Sequence, residues 1–249
     1  MASKIAFCFL TYDNIVRYDI WNKFFQDISF DKYCVFIHPK NIKDCEYTFN
    51  YHIVKNRVLT KAKDDISIVK ATLKLFEETY ISDQKITHFI FLSQNCIPLY
   101  NFNILYNIIT KFPYSVISSI SNNKVERYNS LSIYIQKYLN NRKFTKQQPN
   151  MILTNNDVRL LIKNNYTEHF RLMQCPDEHY FINILLNLFK TPIIKKQINF
   201  CNYDFNRTQA LEFRKVDKIF IENIRKYGFL FMRKVSINGF VDTDFLLLQ

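Results

Sequence analysis

Lys4-Ile5-Ala6-Phe7-Cys8-Phe9-Leu10 is continuously apolar after its first residue, and Thr11-Tyr12-Asp13-Asn14 ends the run with turn formers. A strand with water on one face alternates apolar and polar residues, whereas a strand covered on both faces reads as an unbroken apolar run. Tyr33-Cys34-Val35-Phe36-Ile37, closing on His38-Pro39-Lys40, is written the same way, and so is His88-Phe89-Ile90-Phe91-Leu92, closing on Ser93-Gln94-Asn95. Apolar residues at helical spacing lie between them: Asp19 to Ile28 around Trp21, Ser67 to Tyr80 through Ile68, Ala71, Leu75 and Phe76, and after the third strand Phe102 to Ile109. Buried strands alternating with helices predict an α/β fold, a mostly parallel central sheet flanked by helices. Ligands on such sheets bind at the carboxyl ends of the strands, here Thr11, His38 and Ser93.

Working outward, His52 to Val54 reads as a further short strand and Tyr114 to Ile120 as another. Leu131 to Leu139 has helical spacing, Arg142 to Asn150 is a polar loop, and Met151-Ile152-Leu153 precedes a helix over Asn155 to Lys163. Val216 to Ile224 predicts a late helix, followed by the apolar Phe229-Leu230-Phe231. No repeat, low-complexity tract or linker interrupts the 249 residues, which suits a single domain over 1–249.

Composition removes several function classes. The chain has two glycines, Gly228 and Gly239, so the glycine-rich loops of dinucleotide folds and P-loops are excluded, and any diphosphate must be held by side chains. A net charge of +12 points to an anionic partner. Ten Lys or Arg against four Asp or Glu fall between Lys195 and Lys234, half of the net charge, and a local cluster suits a compact polyanion at least as well as a duplex. The six cysteines form no C-x-x-C pair, and Cys8, Cys34 and Cys96 lie in or beside apolar runs, which predicts buried free thiols. The five histidines make no metal-ligand spacing, so no protein-built metal site is expected. The 24 Phe and 16 Tyr, with many Asn, Ile and Lys, look like the drift of an AT-rich genome, and a lone aromatic is weak evidence of function. No apolar run is long enough to span a bilayer, and the reading is a cytoplasmic protein, of a microbe or large virus.

Pro176-Asp177-Glu178-His179-Tyr180-Phe181 is the stretch that suggests chemistry. Pro176 fits the first position of a helix, Asp177 and Glu178 its first turn, and Phe181, Ile182, Leu185, Leu186, Leu188 and Phe189 a buried stripe. A carboxylate at the mouth of a buried helix can take a proton from a hydroxyl, although acidic residues at helix starts are common without function.

Several islands, in one order, resemble the core-2/I-branching family of β-1,6-N-acetylglucosaminyltransferases, especially its plant and microbial members. They are KIAFCFLTYDNI with WNKFF and YCVFIHPK; SIVKATLKLF preceded by Val58-Leu59-Thr60; HFIFLSQNCIPLYNF, close to the plant-type LLSESCIPLYNF; PDEHYF, as in the family's S-P-D-E; and FLFMRKV, as in L-F-A-R-K-F. The resemblance spans residue 4 to about 235. It implies a glycosyltransferase A-type fold and inverting transfer from a UDP-sugar to a glycan hydroxyl, without a divalent metal or other cofactor. About 1–120 would form the nucleotide-binding half and about 121–249 the acceptor and catalytic half.

Carried over by position, the resemblance makes Glu178 the catalytic base and Lys234, beside Arg233, the diphosphate lysine. The family's phosphate arginine falls on Arg214, with Lys215 or Arg207 as substitutes. Thr11, His38 and Ser67 align with nucleotide contacts, and Ser93 and Asn95 stand where related enzymes carry an acidic metal motif. Asp177, Lys146 and Asn150 fall on the acceptor side, in a run where Lys146 to Met151 replaces the family's K-G-S-Q-W-F and has no tryptophan. Trp21, the lone tryptophan, reads as core. The favoured donor sugar is N-acetylglucosamine, with xylose, glucose and glucuronate open. Two other readings stand beside this one: a basic nucleic-acid-binding protein, and a family member that binds glycans without turnover.

Overall fold

The computed structural model describes residues 3–43, 47–61, 65–121, 125–139, 144–203 and 210–246. A seven-stranded sheet forms the centre. Its strands are β1 (Lys4–Thr11), β2 (Tyr33–Pro39), β3 (His52–Ile53), β4 (Ile86–Ser93), then, after a short β5 (Ile97–Pro98) outside the sheet, β6 (Ser115–Ile117). A small antiparallel pair, β7 (Ile120–Ser121) with β8 (Thr145–Lys146), precedes the last two sheet strands, β9 (Met151–Thr154) and β10 (Ile193–Lys195). Across the sheet the order is β10-β6-β9-β4-β1-β2-β3, so strands from residue 4 to residue 195 share one layer.

The apolar runs behave as their composition predicts. Phe7 and Phe9 of β1 enter one core with Trp21, Phe24 and Phe25, while Ala6 and Cys8 enter a second core with Phe76, Phe89 and Phe181. Period two thus puts one strand's side chains into two separate cores, and each buried phenylalanine contributes about 1.5–3 kcal/mol. Trp21 is fully buried and donates its indole N–H to Cys96 O at 2.9 Å. Helices α1 (Tyr18–Phe25) and α2 (Ser67–Ser82) serve opposite cores, and α2 packs on β1, β2 and the helix over Asn155–Lys163. α3 (Phe102–Ile109) is capped by Asn101, whose side chain accepts the Ile104 N–H at 2.9 Å.

Pairing is parallel for β1 with β2 and β4, in a register that sets Leu10 level with both His38 and Ser93. The carboxyl ends of all three strands therefore share one edge. β9 runs antiparallel to β4 and β6, opposing Met151 to Phe91, so its start lies at that edge too. Beyond the sheet, β11 (Asn199–Cys201), β12 (Phe213–Val216), β13 (Phe231–Arg233) and β14 (Val235–Val241) make two small sheets, β11-β13-β5 and β12-β14.

The later helices depart from the sequence reading. Leu131 to Leu139 is helical only over one short stretch, and Tyr114 to Ile120 divides between β6 and β7. After the small helices α4 (Val125–Asn129) and α5 (Ile133–Gln136) comes α6 (Asn155–Lys163), as predicted. The helix expected to start at Pro176 is interrupted. Pro176–Glu178 forms one 3₁₀ turn, His179 leaves helical geometry at φ −131°, and only then come α7 (Tyr180–Asn183) and a π-helical turn over Ile184–Leu188. Glu178 accordingly ends a single turn and does not sit at the start of a long dipole. The last helix is α8 (Lys218–Arg225). Cys8, Cys34, Cys96, Cys175 and Cys201 are free thiols, and Cys45 lies outside the described residues. Among the described residues no helix is long and apolar enough to cross a membrane.

Candidate active site

A cavity of about 350 Å³ opens at the carboxyl edge of the central sheet. Leu10 of β1, Phe91 and Ser93 of β4, and Ile68 and Thr72 of α2 line one part of it. The turn before α7 contributes Cys175, Asp177 and Glu178, and the end of β13 contributes Arg233 and Lys234. Carboxylates and cations from distant parts of the chain thus share one cavity. The cations are delivered by β13, which lies between β11 and β5. Val235 N–H bonds Asn95 O at 3.1 Å, and Lys234 O accepts the Phe213 N–H at 2.7 Å, so the main chain on either side of Lys234 is fastened to the loop after β4 and to β12.

Glu178 is held by charge. Its Oε2 accepts from Lys146 Nζ at 3.0 Å and Arg127 Nη1 at 3.2 Å. Lys146 comes from β8 and Arg127 from α4, and neither element adjoins the turn in sequence. Arg127 is itself oriented by His179. That ring is wholly buried, its Nδ1–H donates to Thr145 O at 3.1 Å, and its Nε2 accepts from Arg127 Nη1 at 3.0 Å. Burial, reinforced by the Arg127 charge, lowers the His179 pKa to about 4, so the imidazole is neutral at pH 7 and can accept from a guanidinium. Phe144 stacks on the ring at 5.0 Å. Cys175, at φ 53°, turns the chain into the 3₁₀ segment and accepts the Glu178 N–H at 3.1 Å. A residue with a Cβ seldom adopts that conformation.

Sequence reasoning did not find Arg127 or Tyr203. Tyr203 lines the cavity, is 46% exposed, and sits close enough to Arg233 and Glu178 to feel both charges. Burial of its hydroxyl end pushes its pKa up to about 12. Nothing in the spacing marks either residue, because both reach the site by tertiary folding alone.

The family model for the Core-2/I-Branching enzyme matches residues 5–227. The chain belongs to the core-2/I-branching enzyme family. It is 25% identical over 132 residues to glycosyltransferase BC10 of Oryza sativa subsp. japonica; the match covers 51% of this chain and 33% of that protein, so it spans about a third of that relative's length. Similar solved structures include the galactosyltransferase LgtC in complex with donor and acceptor sugar analogues, 13% identical over 78% of this chain and 75% of that one, with a TM-score of 0.44. Mouse xyloside xylosyltransferase 1, in its apo form, is 9% identical over 93% and 97% of the two chains, with a TM-score of 0.42.

In this core-2/I-branching enzyme the residues expected at the nucleotide fall into two groups. Ser93, Arg233 and Lys234 line the cavity. Thr11, His38 and Ser67 lie at the expected sheet edge but turn their polar atoms to the main chain: Thr11 Oγ1 donates to Asp13 O at 2.6 Å, His38 Nε2 accepts the Val58 N–H at 3.0 Å, and Ser67 Oγ accepts the Lys61 N–H at 2.9 Å. All three are buried. Burial lowers the His38 pKa, and its Nδ1 has no partner among the described residues. Arg214 is exposed on β12 and is not among the residues lining the cavity, and Lys215 beside it is exposed as well. Arg207 lies outside the described residues. On the acceptor side Asp177 lines the cavity and Lys146 pairs with Glu178. Asn150 is instead 3% exposed; its Nδ2 donates to Phe91 O at 3.1 Å and its Oδ1 accepts from Asn199 at 2.8 Å. An amide bonded on both ends inside the protein is a structural tie between β4, β9 and β11. Among the described residues no group of three or more His, Cys, Asp or Glu could hold a metal ion.

Proposed function

We propose that the chain is an inverting glycosyltransferase that moves a sugar, N-acetylglucosamine by preference, from a UDP-sugar to a glycan hydroxyl. The observation that carries this reading is that Glu178 and the Arg233–Lys234 pair line the same cavity. Its volume of about 350 Å³ is within the range of roughly 300–1,000 Å³ typical of small-molecule sites. The acceptor O–H gives its proton to Glu178 Oε1 as its oxygen bonds the anomeric carbon. The bond from that carbon to UDP breaks on the opposite face, and its electron pair leaves with the diphosphate. Lys234 and Arg233 compensate that charge, the part a divalent metal plays in other sugar transferases, so no metal is required. Charge stabilisation of this kind is a large contribution where water is displaced. Thr11, His38 and Ser67 shape the sheet edge against which the nucleotide rests.

The test is a screen of UDP-sugars for UDP release, each run with and without EDTA, on the parent and Glu178→Gln. Turnover that survives EDTA and falls about 100- to 10,000-fold in Glu178→Gln is the expected result, because the substitution keeps the shape and removes the base. UDP binding by calorimetry should be unchanged in that variant. Near-parental turnover of Glu178→Gln ends the assignment of the base, and loss of activity in EDTA ends the metal-free mechanism.

A further inference from the structure

In an α-helix running on from Glu178, the Ile182 N–H would bond the Glu178 carbonyl. Here both ends of that bond go to one outside residue. Glu178 O accepts the Gln147 N–H at 2.7 Å, and Ile182 N–H donates to Gln147 Oε1 at 2.8 Å. Gln147 is wholly buried, and its Nε2 reaches Gln148 O at 3.4 Å and Met151 Sδ at 3.7 Å. The opening it props falls at His179, where the backbone leaves helical geometry. Gln148 N–H in turn donates to Ser118 Oγ at 2.6 Å, which ties the strut to the end of β6.

Asn183 makes a matching grip one residue pair away. Its Oδ1 accepts the Thr145 N–H at 2.9 Å and its Nδ2 donates to Thr145 O at 2.7 Å. Thr145 and Gln147 therefore hold the segment from Glu178 to Asn183, and Lys146 between them reaches Glu178 Oε2. Alternate residues of an extended segment face opposite ways, so the same three residues brace the backbone and charge the carboxylate.

We propose that Gln147 is a positioning residue for Glu178: by taking both ends of the missing helical bond it holds the helix open at His179 and keeps the Glu178 turn at the cavity. The inference rests on Glu178 being the base.

The experiment measures UDP release from UDP-N-acetylglucosamine by the parent, Gln147→Met and Glu178→Gln. Methionine keeps the volume and the main-chain bond but removes Oε1. A misplaced catalytic group should lower kcat about 10- to 100-fold while the donor KM stays within about twofold. A purely structural role would lower the melting temperature and leave kcat per folded molecule unchanged. A kcat within about twofold of the parent overturns the proposal, as does a loss confined to the donor KM. If Gln147→Met does not fold, Ser118→Ala releases the Gln148 end of the same strut and is judged by the same split. Glu178→Gln separates the two readings. If it turns over like the parent, the base assignment has failed and this inference with it; if it is inactive while Gln147→Met is as fast as the parent, only the positioning role has failed.

Discussion

At the sheet edge, Thr11, His38 and Ser67 hydrogen-bond main-chain groups of nearby loops, Thr11 as donor and the other two as acceptors, while at the Glu178 corner charged side chains from three separate elements bond one another. The first arrangement makes a wall: each of the three side chains bonds the main chain, and His38 Nδ1 alone among their ring and hydroxyl atoms is buried without a partner among the described residues. The second places the Glu178 carboxylate and the Arg233–Lys234 pair at one cavity. Both regions are polar and both lie at the mouth of the same fold. What separates them is where the hydrogen bonds end: on the main chain at the sheet edge, between charged side chains at the Glu178 corner.

The sharpest way to break this comparison is Lys234→Ala. Removing one preorganised donor to a departing anion should cost about 100- to 1,000-fold in kcat for UDP release, with the melting temperature little changed. A variant that loses stability and keeps its rate would move Lys234 to the bracing class. Next is acid sensitivity at the reactive corner. The unfolded chain protonates His179 near the usual 6.5, while the folded chain resists until about 4. The unfolded state therefore binds more protons in that window, and stability should fall as pH drops from about 6.5 to about 4, by up to about 3 kcal/mol. His38 and His88 are lowered in the same direction and add to the slope. His179→Gln keeps an acceptor for Arg127 and should flatten part of it; equal slopes by denaturant unfolding at pH 7 and pH 5 would refute the neutral imidazole. The smallest effect is expected at the wall, where His38→Phe strands the Val58 N–H at about 1–3 kcal/mol of stability. A rise in donor KM with no loss of stability would instead make His38 a ligand contact and erase the distinction.

The two regions also differ in how far the sequence disclosed them. Unbroken apolar runs announced β1, β2 and β4, and their common parallel edge placed Ser93 at the cavity, because burial on both faces leaves a direct imprint on composition. The spans of α3 and α6 follow from helical spacing and local caps, Asn101 and Thr154, for the same reason. The Pro176 stretch drew attention to Asp177 and Glu178 by its local pattern, but the choice of Glu178 as base, and Lys234 altogether, came only through the resemblance. Arg127, Tyr203 and the break at His179 were not reachable at all. The Pro176 stretch satisfies every local rule for a helix start, and the residue that opens it, Gln147, lies just past β8. Asn150 shows the converse, a polar residue in a candidate binding run whose partners, Phe91 and Asn199, are visible only once the strands are side by side.

The alternation of Thr145, Lys146 and Gln147 has a consequence for how this stretch can change over time. Composition there is negotiable so long as an acceptor, a cation and a hydrogen-bonding backbone recur, but length is not. A single codon gained or lost between Phe144 and Gln147 would swing an ammonium into the sealed slot now filled by an amide and turn the amide toward the carboxylate. Indels in this segment should therefore be far rarer than substitutions.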